Sequence, residues 1–140
     1  MKIRDIMTKP AIHISPSESV DVAARTLTHY NIGILPVCNG AGEICGLVTD
    51  RDLVTRCMAS GRTPAQTRVK DVMTNRVLTV QPDMDVSVAA HLMGRQQVRR
   101  LPVVENGRLC GMVSLGDLSL QEESIMDAAD ALSDISENIL

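Results

Sequence analysis

Aromatic side chains are almost missing from this chain of 140 residues: Tyr30 stands alone, with no Phe and no Trp. Base stacking on aromatic platforms, a main device of single-strand nucleic-acid binders, is therefore not available. The core must be aliphatic and rich in the eight methionines. No stretch approaches the roughly 20 apolar residues that a membrane span requires, and no apolar run marks the N-terminus. Cys38, Cys45, Cys57 and Cys110 include no C-x-x-C and have apolar or Gly neighbours, so they read as reduced core thiols rather than disulfides or zinc ligands. There is no G-x-S-x-G, H-E-x-x-H or Walker loop, and His13, His29 and His91 are scattered without a shared neighbourhood. The expectation is a cytoplasmic protein without membrane, metal or catalytic chemistry.

Charge is distributed unevenly along the chain. Residues 119–140 carry six acidic and no basic side chains, whereas residues 1–118 carry 14 basic and 11 acidic ones. An excess of three is too small to point to nucleic acid, though it suits a pocket for a small phosphorylated ligand.

What the chain has is a repeat. Asp5-Ile6-Met7-Thr8 returns as Asp71-Val72-Met73-Thr74, and Leu35-Pro36-Val37 as Leu101-Pro102-Val103, at an offset of 66. After one deletion the offset is 65, and Gly46-Leu47-Val48-Thr49 with Asp52 returns as Gly111-Met112-Val113-Ser114 with Asp117. Similarity sustained over about 50 residues and broken only in a turn indicates two copies of one supersecondary unit.

Each copy opens on a helical turn at D-[IV]-M-T, followed by an alternating strand, Ala11–Ile14 or Val77–Val80, and a turn at Pro16 or Pro82. Ser19 and Asp85 can cap a helix whose apolar face carries Val20, Ala23, Ala24 and Leu27, or Val86, Ala89, Ala90 and Met93. Two strands follow, 35–38 with 44–49 and 101–104 with 109–114, joined by turns with an Asn-Gly signal. A second helix begins after Thr49 and Ser114. The fold class expected is α+β, two pseudo-twofold β-α-β-β-α units spanning residues 1–58 and 71–122, with 59–70 as linker. In residues 123–140, Ile125, Ala128, Leu132, Ile135 and Ile139 form an apolar seam on an acidic amphipathic helix. That helix either folds back on its own domain or a dimer mate, or docks a partner protein, or the segment is a frayed tail.

The constellation with chemical content is G-h-h-[ST]-x-x-D, present twice. A strand delivers Thr49 or Ser114 to the start of a helix, where free amides and the dipole favour an anion. Three residues on, Asp52 or Asp117 can accept hydrogen bonds from two vicinal hydroxyls. Hydroxyl, helix start and carboxylate together suit a ribose phosphate. The plainer reading is that Thr49 and Ser114 cap their helices, with the aspartates favouring the dipole.

In duplicate and in this order, D-[IV]-M-T, the alternating strand, P-x-x-[SD]-V, h-P-V and G-h-h-[ST]-x-x-D resemble the tandem cystathionine beta-synthase (CBS) domain family, whose paired units are called Bateman modules. The resemblance covers residues 1 to about 122 and implies a stand-alone prokaryotic CBS pair. It implies two clefts for adenosine-containing ligands, AMP, ADP, ATP or S-adenosylmethionine. Asp52 and Asp117 would then bind ribose hydroxyls, while Thr49 and Ser114 would approach ribose or phosphate. The base would lie between Ala11 and Ile12, or Val77 and Leu78, and the backbone near Leu35-Pro36 or Leu101-Pro102. A basic residue before h-P-V contacts phosphate in that family, which nominates Arg100 and then Arg99. The first copy offers Gly33-Ile34 there and has Arg51 instead, so the two clefts are expected to be unequal. The family pairs modules into homodimers.

The function expected is thus a regulatory module that senses an adenosine-containing nucleotide and signals through a change of conformation or dimer geometry. The alternative is a ligand-free dimeric adaptor acting through its dimer surface or acidic C-terminal helix, with an unidentified protein partner.

Overall fold

The computed structural model describes residues 1–137. The fold is α+β, and its chain forms two compact units, residues 12–77 and residues 1–11 together with 78–140. These do not follow the repeat. The first unit holds the first helix and hairpin but the second D-V-M-T, and the second unit holds the second helix and hairpin but the first D-I-M-T. Each copy's opening segment is built into the unit formed around the other copy's hairpin.

In the first unit, α1 (Val20–Tyr30) is followed by β1 (Ile34–Cys38) and β2 (Ile44–Thr49), then α2 (Asp50–Asp52), which runs on as a π-helix at Leu53–Met58. Ser19 caps α1 by accepting from the Val22 amide at 3.2 Å, and Asn31 ends it in the left-handed region. The hairpin is antiparallel, with Leu35 opposite Val48. Residues 59–70 join the two repeats and also complete this unit. They form short 3-10 turns at Pro64–Gln66 and Val69–Asp71, the Val20 amide donates to the Thr67 carbonyl at 2.8 Å, and Val69 is fully buried in a core with Leu35, Val37 and Val48.

The second unit has α3 (Val86–Gln96), capped by Asp85, then β3 (Arg100–Glu105), β4 (Arg108–Ser114), α4 (Leu115–Ser119) and α5 (Ile125–Ser136). Asn106 and Gly107, at φ 54° and 79°, make the two-residue turn that their sequence announced. Both hairpins carry a bulge that leaves Cys45 or Cys110 unpaired, and each thiol donates to a carbonyl of the facing strand at 3.3 Å.

The alternating stretches expected as strands at 11–14 and 77–80 shrink to one parallel bridge each, Ile14 with Val37 and Val80 with Val103. Proline is the reason. Ile14 donates to the Pro36 carbonyl and accepts from the Cys38 amide, at 3.0 and 2.9 Å. Continuing the ladder in one direction would need an amide hydrogen on Pro36, and in the other an amide hydrogen on Pro16, and neither exists. Pro82 and Pro102 stop the second copy in the same way.

The C-terminal helix folds back on its own unit, along α3, through only part of the seam the spacing suggested: Ala128 is buried and Ile135 half-buried. Ala128 and Ala131 are buried, while Ile125 and Leu132 are 49 % and 43 % exposed; Ile139 lies outside the described residues. Gly94 explains the register, because a Cβ there would sit 3.4 Å from the Ala131 Cα and 2.7 Å from a carboxylate oxygen of Asp134. Close approach selects the small side of α5. The matched residue in α1 is Thr28, no helix follows the first copy in this way, and Ala24, expected on the buried face, is exposed.

Two further glycines hold the exchanged segments. Leu47 and Thr74 trade backbone hydrogen bonds at 2.9 and 2.8 Å, and Thr8 and Met112 do so at 2.8 and 3.0 Å. A Cβ on Gly46 would fall 2.7 Å from Met73 Sδ and 2.9 Å from the Thr74 carbonyl, and on Gly111 2.8 Å from Met7 Sδ and 2.9 Å from the Thr8 carbonyl. Gly46→Ala or Gly111→Ala should each lower the urea unfolding free energy by about 1–3 kcal/mol, the range for overpacking. Gly40→Ala, with nothing within 4 Å of its Cβ, should leave it unchanged within error.

Burial, and then the neighbouring Cys45, push the Cys38 thiol from 9.0 up to about 11. The folded chain keeps this proton longer than the unfolded one, so the stabilisation is full below about pH 9 and lost as pH rises towards 11. Between those values the urea midpoint of the natural chain should fall further than that of Cys38→Ala.

Candidate functional site

Both copies of G-h-h-[ST]-x-x-D adopt one geometry. The strand ends on an extended residue, and Thr49 Oγ1 accepts from the Asp52 amide at 3.1 Å while Asp52 Oδ2 accepts from the Thr49 amide at 3.0 Å. In the second unit the same reciprocal box joins Ser114 and Asp117 at 3.1 and 2.9 Å. The capping reading of these residues is therefore realised, and it fixes both carboxylates at the mouth of the turn. One oxygen of each aspartate is spent on its box; the other is left open in Asp117 and lies 3.6 Å from Arg56 Nε in Asp52.

Free amides are fewer than the sequence suggested. In α2 the Asp50 amide donates to the Gly33 carbonyl at 3.1 Å, the Arg51 amide to Asp50 Oδ1 at 2.8 Å, and the Asp52 amide to Thr49. All three are used. In α4 the Leu115 amide donates to the Arg99 carbonyl at 2.8 Å and the Asp117 amide to Ser114, which leaves the Gly116 amide without an acceptor among the described residues.

The mouths also differ in charge. Arg100 faces Ser114 across the hairpin, Arg99 is held beside α4 through its carbonyl, and both side chains are exposed. Neither has an ion pair or side-chain hydrogen bond among the described residues. In the first unit the matched residues are Ile34, which faces Thr49, and Gly33, over which the Asp50 carboxylate sits 3.4 Å from where a Cβ would be. The second mouth is cationic, whereas the first has Asp50 at its edge with Arg51 exposed next to it.

The remaining candidates divide between the units. Ile12, Leu35, Pro36, Arg51 and Val77 belong to the first, and Ala11, Leu78, Leu101 and Pro102 to the second, so the boundary falls inside both Ala11-Ile12 and Val77-Leu78. Leu35 and Leu101 are 0 % and 2 % exposed. Their side chains are core, and a ligand could meet only backbone there. The Pro36 and Pro102 carbonyls already accept from Ile14 and Val80 at 3.0 Å. Leu78, at 37 %, is open to a planar partner.

Residues 3–59 and 69–121 each match the CBS domain family. The chain belongs to the CBS domain family. Across 137 residues it is 42 % identical to the uncharacterized protein YlbB of Bacillus subtilis, covering 97 % of this chain and 92 % of that one. It is 37 % identical over 134 residues to the CBS domain-containing protein YhcV of the same organism, covering 96 % and 94 %. Among solved structures, the CBS domain pair of protein MJ0100, in complex with 5′-methylthioadenosine and S-adenosyl-L-methionine, superposes with a TM-score of 0.76 at 28 % identity, covering 86 % of this chain and 94 % of that one. Hypoxic Response Protein I, solved with two coordinated zinc ions, superposes with a TM-score of 0.80 at 28 % identity, covering 86 % and 98 %. Among the described residues here, no three His, Cys, Asp or Glu side chains gather as a metal site, and no helix is long and apolar enough to cross a membrane.

One residue that bears on the CBS mouths, Arg56, was missed in the sequence; it lies four residues after Asp52 and could have been found by comparing it with Gln121.

The boxes themselves can be tested by stability. Thr49→Ala and Ser114→Ala should each cost about 1 kcal/mol, as for a lost N-cap, while Thr49→Ser and Ser114→Thr should cost a few tenths at most. Urea titration of the four variants measures this.

Proposed function

We propose that this CBS pair is a regulatory module that binds an adenosine-containing ligand, AMP, ADP, ATP or S-adenosylmethionine, and signals by a change of conformation or of dimer geometry. The observation that carries this reading is the second mouth. Asp117 keeps one carboxylate oxygen for a vicinal diol, and Arg99, Arg100 and the Gly116 amide supply positive charge and a donor from the start of β3 and the facing end of β4. Both ligands of the MJ0100 pair contain adenosine, which supports the class of ligand. The scarcity of aromatic residues is compatible with it, since aliphatic groups such as Leu78 can flank adenine. The first mouth, with its amides used and Asp50 at the edge, takes ligand more weakly or takes one with less negative charge. A ligand shifts the conformation only by binding one arrangement more tightly than another. A homodimer, the commonest closed assembly, is the expected carrier of the signal.

The adaptor reading draws on one observation, the exposed Ile125, Met126 and Leu132 on the acidic helix α5. Calorimetric titration of protein freed of small molecules separates the two. Binding of AMP, ATP or S-adenosylmethionine supports the sensor, and no heat with any of them leaves the adaptor. Mass spectrometry of small molecules released from the purified native protein identifies the ligand.

Arg100→Ala should weaken AMP by about 1–3 kcal/mol, the range for a lost charge-assisted hydrogen bond, and adenosine much less. Equal losses for the two ligands would exclude a phosphate contact.

A further inference from the structure

Asp52 and Asp117 occupy matched positions and make the same box, yet their second oxygens meet different surroundings. Asp52 Oδ1 lies 3.6 Å from Arg56 Nε, and the Asp52 side chain is only 14 % exposed. The same guanidinium reaches further: Arg56 Nη1 donates to the carbonyl oxygens of Val72 and Met73 at 3.3 and 3.2 Å. Arg56 therefore spans the mouth carboxylate and the D-V-M-T segment that is paired to β2 through Leu47 and Thr74. In the second unit the matched residue is Gln121. Among the described residues Asp117 has no ion pair, and the matched carbonyls of Ile6 and Met7 accept no side-chain hydrogen bond.

We propose that Arg56 is a positioning residue that latches the first mouth to the 69–74 segment, making that mouth, and not the second, a coupled site. A ligand whose vicinal hydroxyls take Asp52 Oδ1 competes with Arg56 for it. A guanidinium released from Asp52 loses the anchor that orients its fork towards Val72 and Met73, so occupancy is read out as a loosening of the Leu47–Thr74 pairing. The second mouth has no latch, and a ligand there leaves Thr8–Met112 undisturbed. The ligand half of this proposal rests on the adenosine reading above; the latch itself does not. Arg56 is half exposed, and a pair of this kind contributes little to global stability, so its variants should fold.

Two measurements test it. In hydrogen exchange without ligand, Arg56→Gln should speed the Leu47 and Thr74 amides several-fold and leave Thr8 and Met112 unchanged, with Arg56→Lys falling between it and the natural chain. Unchanged exchange at Leu47 and Thr74 would overturn the latch. In calorimetry with AMP, on an Asp117→Asn background that silences the second mouth, Arg56→Gln should bind about three- to ten-fold more tightly. AMP should also speed Leu47 and Thr74 exchange with Arg56 present and have no such effect in Arg56→Gln. Equal or weaker affinity in Arg56→Gln would overturn the competition. Absence of AMP, ATP and S-adenosylmethionine binding in the natural chain and in every variant would instead overturn the adenosine reading, and with it the ligand half, while the exchange result still decides the latch.

Discussion

Backbone can lie against backbone only where no side chain intervenes, and the two units depend on that at Gly46 and Gly111. At each, a methionine and a carbonyl of the opening segment occupy the space a Cβ would need. The contact lets Thr74 pair with Leu47 and Thr8 with Met112, and those pairs seat the buried Val69 and Val72 of one unit and Ile3 of the other. The glycine of G-h-h-[ST]-x-x-D and the methionine of D-[IV]-M-T are thus two halves of one joint. They stand far apart in each repeat because each meets its counterpart from the other copy.

That exchange was not legible in the sequence. An offset of 66 says which segments correspond, but a segment fits its own copy's hairpin and its twin's equally well on paper. Local features were legible where their physics is local. Ser19 and Asp85 cap as expected, Asn106-Gly107 turns as expected, and both hairpins form where the two paired strands were expected. The strands at 11–14 and 77–80 were over-read because alternation was weighed without asking which amides a proline-bearing partner could offer. The seam on α5 is met at Ala128 but turned towards the small residue Ala131, which faces Gly94, because size outweighs hydrophobicity where two helices approach closely.

The candidate site was legible as a motif and not as an inventory of hydrogen bonds. Thr49, Asp52, Ser114 and Asp117 lie as their spacing implied, but the amides assumed to be open are largely used within each turn. What separates the two mouths is a handful of substitutions against a shared backbone: Arg99-Arg100 for Gly33-Ile34, Leu115-Gly116 for Asp50-Arg51, and Gln121 for Arg56. A duplicated scaffold keeps its caps and glycines because both copies need them to fold, and it is free to diverge in the side chains around them.

The exchanged segments have a consequence for biosynthesis. Residues 12–77 are contiguous and hold every partner their core requires, so this unit can close while the rest of the chain is still being made. The other unit is split between 1–11 and 78–140. At roughly 5–20 residues per second, the stretch carrying Ile3 and Met7 waits for several seconds, its apolar side chains uncovered, until β4 emerges with Gly111. For that interval the nascent chain presents a short apolar segment with no home of its own, and a neighbouring chain on the same message that has already completed β4 is a competing place for it to dock.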